Sequence, residues 1–244
     1  MKVKEYQKLP TFLKIKENAV FVADAHYNTK RDEFLVFLEK LKTAQIHTTQ
    51  LFLMGDMFDF LAGDCTYFIK INKKIINIIN DLSNTLDIIY FEGNHDYNLK
   101  IIFPNINIIS RDNQPLYATY NEKNVALSHG DIYVNDSFYE IYCKIIRNKP
   151  LLKLLNIIDF NGFLSKKINN ALLDKSICAV MENFESIVKK RLKHYDCDMV
   201  IEGHFHQGNE YIIDNKRYKN IASLTCSKEY NILKDGVFVG ESIE

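Results

Sequence analysis

Short apolar runs that stop abruptly at charged, amide or imidazole residues recur along this 244-residue chain. Ala19-Val20-Phe21-Val22-Ala23 ends at Asp24-Ala25-His26, and Leu51-Phe52-Leu53-Met54 ends at Gly55-Asp56. Ile88-Ile89-Tyr90-Phe91 leads to Gly93-Asn94-His95-Asp96, and Val125-Ala126-Leu127 to Ser128-His129-Gly130-Asp131. A fifth run, Asp198-Met199-Val200-Ile201, leads to Gly203-His204-Phe205-His206. Runs this short and this apolar read as buried strands covered on both faces. Between the first three, residues 31–44 and 67–83 repeat apolar positions at i, i+3 and i+4, the period of a helix with one buried face. Alternating strand, polar loop and helix predict an α/β fold.

Residues 135–182 break the alternation. They read as helical throughout, with apolar pairs at Ile145-Ile146, Leu151-Leu152, Leu154-Leu155 and Ile157-Ile158 and a break at Asn161-Gly162. Turn residues at Asp214-Asn215 and Asp235-Gly236 then predict two closing hairpins, 211–213 with 217–223 and 229–233 with 237–239. The expected organisation is a core of residues 1–131 and 183–244, interrupted by a helical insertion at 132–182.

Composition narrows the class. With 47% hydrophobic and 25% charged residues the chain has ordinary globular proportions. Its 31 basic residues balance 31 acidic ones, which argues against a strongly basic nucleic-acid binder. Cys65, Cys143, Cys178, Cys197 and Cys226 are scattered, without a C-x-x-C, and are expected to be reduced thiols of a cytosolic protein. Residues 1–20 alternate Lys and Glu with single apolar residues and lack the apolar centre of a signal peptide. No stretch approaches the roughly 18 apolar residues of a membrane span, so a soluble or peripherally attached protein is expected.

The polar residues at the strand ends carry the candidate chemistry. In an α/β sheet these ends open onto a shared edge where ligands collect, so Asp24, His26, Asp56, Asp59, Asn94, His95, Asp96, His129, His204 and His206 should converge. Carboxylate and amide oxygens mixed with imidazole nitrogens, and no thiolate, suit Mn, Fe or Zn. Gly-Asn-His-Asp is the most specific piece, and the ordered set is far more specific than any one member.

This ordered set, Asp-x-His, Gly-Asp-x-x-Asp, Gly-Asn-His-Asp, His and Gly-His-x-His, resembles the calcineurin-like metallophosphoesterase superfamily over about three quarters of the chain, Asp24 to His206. The resemblance implies a four-layer α/β/β/α sandwich with a helical cap. It implies two divalent ions, Mn or in its place Fe, Zn or Mg, the first held by Asp24, His26, Asp56 and His206 and the second by Asp56, Asn94, His129 and His204. Two such ions activate water and clamp phosphoryl oxygens during in-line attack. His95, with Asp96 beside it, would be catalytic, stabilising the transition state or protonating the leaving oxygen. Asp59 would orient a ligand, and Asp131 would either do the same or end a turn.

The text of the insertion, with Asp131, Asp136, Tyr139, Arg147-Asn148 and Lys175-Ser176, resembles the superfamily branch that hydrolyses UDP-2,3-diacylglucosamine to UMP and 2,3-diacylglucosamine 1-phosphate in lipid A biosynthesis. That branch implies a lipid-linked sugar nucleotide as substrate, bound by Asp136, Lys167, Lys175 and His95, at the cytoplasmic face of the inner membrane. The apolar pairs of the insertion could line an acyl-chain groove or pack its helices together. The chain departs from the branch in having His95 where arginine is usual and Gln207-Gly208 where Arg-Pro is usual. These departures leave another nucleotide-linked or phosphodiester substrate as the alternative.

Overall fold

Each apolar run becomes a strand covered on both faces. The computed structural model describes residues 13–134 and 136–244, so the first part of the lysine- and glutamate-rich start and Asn135 lie outside the described residues. The first half of the chain forms β1 (Leu13–Lys14), β2 (Ala19–Val22), α1 (Glu33–Lys42), β3 (Gln50–Leu53), β4 (Leu61–Ala62), α2 (Thr66–Ile71), α3 (Lys73–Leu82), β5 (Asp87–Phe91), β6 (Asp96–Tyr97), β7 (Asn107–Ile109), β8 (Leu116–Tyr120) and β9 (Lys123–Ser128). Three helices follow, α4 (Ser137–Ile146), α5 (Lys149–Ile158) and α6 (Phe163–Leu173). The remainder forms α7 (Phe184–Arg191), β10 (Met199–Glu202), β11 (Glu210–Ile213), β12 (Lys216–Asn220), α8 (Leu224–Ser227), β13 (Glu229–Lys234) and β14 (Val237–Ser242).

The long strands build two six-stranded mixed sheets, ordered β14-β13-β2-β3-β5-β7 and β1-β8-β9-β10-β12-β11. Alternation along each strand assigns the layers. Phe21, Phe52, Ile89 and Phe91 of the first sheet meet Val125, Leu127, Met199 and Ile201 of the second in one apolar layer. Their alternate neighbours Val20, Val22, Leu51, Leu53, Ile88 and Tyr90 face outward onto Phe34, Phe37 and Leu38 of α1 and Ile75, Ile78 and Ile79 of α3. On the far side Ala126, Val200 and Tyr218 are covered by Phe184 and Val188 of α7. The result is the α/β/β/α sandwich.

Two helical expectations change. The segment 67–83 divides at Asn72, whose backbone N–H and side-chain amide both donate to the Phe68 carbonyl, at 3.2 and 3.0 Å, ending α2 as α3 begins. In the insertion, helix stops at Leu173, and residues 174–183 run irregularly back to α7. Their polar groups are engaged by the core: the carbonyl of Lys175 accepts from Arg31 at 3.0 Å, and that of Ala179 accepts from Gln207 at 2.9 Å. This return leg also corrects the cysteine expectation. Cys178 is disulfide-bonded to Cys226, the leg bringing their Cα atoms to 5.5 Å, while Cys65, Cys143 and Cys197 are free thiols. No helix among the described residues is long and apolar enough to cross a membrane.

Where α7 lies on the second sheet, a buried ion pair fastens it. Arg191 donates to both carboxylate oxygens of Glu202, at 2.8 and 2.7 Å, and Tyr218 and Tyr195 add hydroxyl donors. Burial alone would push the Glu202 carboxyl up, but the Arg191 charge and these donors hold it below its ordinary value. Removing one partner leaves an uncompensated buried charge. Arg191→Met should therefore lower the unfolding free energy by about 3–5 kcal/mol in urea titrations, whereas Arg191→Met with Glu202→Leu should recover much of that loss.

Candidate metal centre

β2, β3 and β5 are parallel neighbours in one sheet, as are β9 and β10 in the other, so their carboxyl ends share one rim of the sandwich. The residues just beyond those ends converge there. Asp24, His26 and His206 form one group, Asp56, His129 and His204 a second, and His26, Asp56 and His95 a third, each with its potential ligand atoms within 4.8 Å of one another. Asp56 stands between the groups, its Oδ2 lying 4.0 Å from His26 Nε2 and 3.6 Å from His129 Nε2. Asn94 joins the second group with its Oδ1 3.4 Å from His129 Nε2. The structure thus brings together all seven expected ligand residues.

The loops that deliver them are unusual in backbone. Asp24, His26, Asp56, His204 and His206 all have φ between 43° and 64°, the left-handed region that costs a non-glycine residue roughly 1–2 kcal/mol. Cross-loop hydrogen bonds hold the conformations: Asp24 N–H donates to the Gly55 carbonyl and His26 N–H to that of Asp56, both at 3.0 Å. His204 N–H donates to Asp24 Oδ2 and His95 N–H to Asp56 Oδ1, both at 2.8 Å. The glycines of the motifs make room for this. A Cβ on Gly93 would overlap the Asp56 carboxylate, and one on Gly203 would stand 2.7 Å from Asp24 Oδ2.

Carbonyls select the imidazole tautomers. His129 Nδ1 donates to the Met54 carbonyl at 2.9 Å and His206 Nδ1 to that of Ile177 at 2.8 Å, leaving each Nε2 for the centre. His95 Nδ1 donates to the Asp59 carbonyl at 2.6 Å. Asp24 Oδ1 is buried without a hydrogen-bond partner and faces His206 Nε2 at 3.2 Å, while His26 turns Nδ1 toward Asp59 and Nε2 toward the centre. Buried carboxylate oxygens and imidazole nitrogens gathered this way, with no thiolate among them, fit divalent cations.

The cluster compensates its own charge. Burial would raise the carboxyls, but the His206 imidazolium holds Asp24 below its ordinary value, and His129 with His95 holds Asp56 well below it. Against its own burial, His129 is pushed up to about 10 by Asp56, and His206 is raised by Asp24. His204 goes the other way, to about 4, through burial and the charge on His129. Burial also lowers His95.

The other expected residues separate by placement. Asp96 is a correction: its carboxylate does not accompany His95. The short strand β6 turns it inward, where it accepts from Asp56 N–H at 3.0 Å, Met57 N–H at 2.7 Å, Gly93 N–H at 2.9 Å and Tyr90 O–H at 2.6 Å. Burial and the Asp56 charge raise its carboxyl to about 6, and it braces two loops. Asp59 accepts from Asn28 and Arg31, with Oδ1 3.6 Å from His26 Nδ1. Asp131 accepts from Arg111 Nε at 2.7 Å, and Arg111 also grips Glu140 of α4. Asp136 caps α4, accepting from Phe138 N–H at 2.8 Å. Lys167 is exposed on α6, and Lys175 is exposed on the return leg, near enough for its charge to bear on His95.

Residues outside the expected ligand, catalytic and substrate-binding set also serve the rim. Arg31 donates to the carbonyls of His26 and Lys175, at 3.2 and 3.0 Å, besides gripping Asp59. Arg147, from the end of α4, donates to the Gly93 carbonyl at 2.5 Å. Gln207 latches the return leg, accepting from Met181 N–H at 2.9 Å. Only its departure from the usual Arg-Pro drew attention to it.

Because His129, pushed up to about 10, keeps a second ring proton at neutral pH in the absence of metal, cation binding must displace it. Titration of divalent metal into the metal-free protein at pH 7 should release protons, seen as a buffer-dependent binding enthalpy. Affinity should rise with pH until the imidazoles lose their protons unaided.

Comparison with known proteins agrees with this geometry. Residues 18–208 match the family model described as calcineurin-like phosphoesterase. A UDP-2,3-diacylglucosamine hydrolase of Wigglesworthia glossinidia brevipalpis is 24% identical over 220 residues, covering 85% of this chain and 86% of that protein. The enzyme of the same name from Vibrio atlanticus (strain LGP32) is 28% identical over 226 residues, covering 88% of each. Among solved structures, Yfce, a phosphoesterase from E. coli, superposes with a TM-score of 0.50 at 14% identity, covering 93% of both chains, and shares the fold.

Proposed function

This chain belongs to the calcineurin-like phosphoesterase family and is a metal-dependent phosphoester or anhydride hydrolase; on that premise we propose that it cleaves the pyrophosphate of UDP-2,3-diacylglucosamine into UMP and 2,3-diacylglucosamine 1-phosphate. The observation that carries the substrate is the surface of the insertion. Phe138, Ile157, Phe160 and Phe163 are each between 74% and 85% exposed, and only Cys143 and Leu152 of its three α-helices are buried. Packing the helices together does not account for that much apolar surface. An acyl-chain groove does, with Lys166, Lys167 and Lys175 nearby in sequence as phosphate-binding cations. In this reading residues 132–182 are a substrate-binding cap, and the same face rests peripherally on the cytoplasmic side of an anionic membrane.

In the mechanism, Asp24, His26, Asp56 and His206 would hold one divalent ion, and Asp56, Asn94, His129 and His204 the other, with manganese our assignment. When bound, such ions neutralise phosphoryl charge and acidify water. The chain's own residues do the positioning. The carbonyls of Met54 and Ile177 fix the rings of His129 and His206, and the five left-handed residues set ligand directions before any ion arrives. His95, fixed through Nδ1 on the Asp59 carbonyl, keeps Nε2 to exchange a proton with the phosphate group.

His95 in place of the branch's usual arginine favours a second reading, another nucleotide-linked or phosphodiester substrate. Hydrolysis of UDP-2,3-diacylglucosamine beside simple diesters and nucleotides, reading UMP release, separates the two. Selective UMP release supports the lipid substrate, and turnover of the simple esters alone supports the second reading.

Two variant comparisons probe the roles. His95→Ala should lose roughly 100- to 10,000-fold in kcat while keeping its bound metal, whereas Asp56→Ala should lose both, as metal analysis and rate measurements would reveal. Lys175→Ala should weaken the lipid substrate about tenfold or more and barely affect a small chromogenic diester. An equal loss on both would tie Lys175 to the fold instead.

A further inference from the structure

The disulfide joins two segments that each hold part of the rim. On one side, residues 174–183 leave the insertion with every side chain exposed except that of Ile177, which is half-buried. A few polar contacts fasten this leg: Lys30 with Asp174, Arg31 with the Lys175 carbonyl, and Gln207 with Ala179 and Met181. Within it, the Ile177 carbonyl accepts from His206 Nδ1 at 2.8 Å, one residue before Cys178. On the other side, Cys226 lies in α8, whose first turn is pinned to the loop after β2. Ser223 Oγ donates to the Asp24 carbonyl at 2.7 Å, Leu224 N–H to that of Ala23 at 3.0 Å, and Thr225 Oγ1 to that of Ala25 at 2.6 Å. The bond therefore ties the leg whose Ile177 carbonyl orients His206 to α8, which is itself hydrogen-bonded to the loop that carries Asp24. Cys178 is exposed and Cys226 half-buried, so the bond is open to an attacking thiolate.

We propose that Cys178–Cys226 is a redox latch on the metal centre: oxidised, it holds the return leg in place and His206 in its ligating orientation; reduced, it frees the leg and weakens the first ion site. The physiological reductant is a dithiol. One of its thiolates attacks a sulfur of the bond to form a mixed disulfide, and its second thiolate then displaces the remaining cysteine. Two electrons pass to the protein, two protons end on Cys178 and Cys226, and the dithiol becomes a cyclic disulfide. The inference rests on His206 as a ligand, and the test separates failure of that assignment from failure of the latch.

Uptake of Mn by the metal-free protein is measured for the oxidised form, for protein reduced by a phosphine, and for His206→Ala. The phosphine becomes its oxide, taking oxygen from water while both sulfurs gain a proton, and it brings no thiol to chelate the metal. Thiol counting by mass spectrometry and near-ultraviolet circular dichroism accompany each sample. Reduction should weaken uptake about tenfold or more, within the range expected on loss of a group that orients a ligand. It should raise the metal concentration needed for hydrolysis of a chromogenic diester while leaving the rate at saturating metal little changed, and reoxidation should restore both. A Cys178→Ser, Cys226→Ser variant should match the reduced protein and ignore the phosphine. Unchanged affinity after reduction, with His206→Ala impaired, overturns the latch and leaves the ligand assignment standing. Full uptake by His206→Ala removes the ligand assignment and the latch with it. Loss of the folded spectrum on reduction overturns the latch as well, making the bond a staple of the fold.

Discussion

Two carboxylates, Asp24 and Asp56, are buried with their charges retained, and the organisation of the rim follows from that constraint. An isolated carboxylate in such surroundings would take up a proton. Here imidazoles from the opposite sheet answer both: His206 lies 3.2 Å from Asp24 and His129 lies 3.6 Å from Asp56. The backbone contributes as well, since the N–H groups of His204 and His95 each donate to one of the carboxylates. Each sheet thus supplies charge that the other must balance, and the two apolar faces between them set the spacing at which the balance is struck. A divalent ion held there would put a stronger charge in the place of a displaced imidazole proton.

The insertion follows another logic. Its helices are tied to the core at polar points, Arg111 bridging Asp131 and Glu140 and Arg147 reaching the Gly93 carbonyl, while much of its apolar surface stays open. These anchors, with Leu152 and Ile146 packed near Tyr97, fix where the insertion stands while leaving most of its apolar surface open. In the proposed reading, chemistry and recognition are carried by parts of the chain that obey different packing rules, one closed and one open.

Much of this was legible in the sequence because the signals are local. An apolar run and the polar residues that end it are contiguous, so strand and candidate ligand are read in one glance, as with Leu51 to Asp56. Strands apolar at every position require cover on both faces and so predicted α/β, whereas the four layers were what the family resemblance implied. What stayed hidden depends on contacts between distant segments. Asp96 adjoins His95 in sequence, yet strand geometry points its carboxylate into the loops below. The pairing of Cys178 with Cys226 needs the return leg to pass α8, and no spacing rule encodes that. Helical periodicity likewise ran past Leu173, because it does not register that the carbonyls beyond are claimed by Arg31, His206 and Gln207.

The assembly of the rim from both sheets has a consequence for how the chain acquires metal during its synthesis. Asp24 and His206 are 182 positions apart in sequence, and the ring nitrogens of His26 and His206, 180 apart, approach to 3.4 Å. A nascent chain that has formed only β2, β3, β5 and β7 of the first sheet offers Asp24, Asp56, Asn94 and, of the proposed ligand imidazoles, His26 alone, too few to hold an ion firmly. Capture waits until β10 has emerged and the second sheet has docked. Such distant pairings form slowly, and the unmetallated chain spends that interval with its acidic loops open. On the proposed ligand set the cation would act as a late checkpoint, binding well only to chains whose two sheets have already found each other.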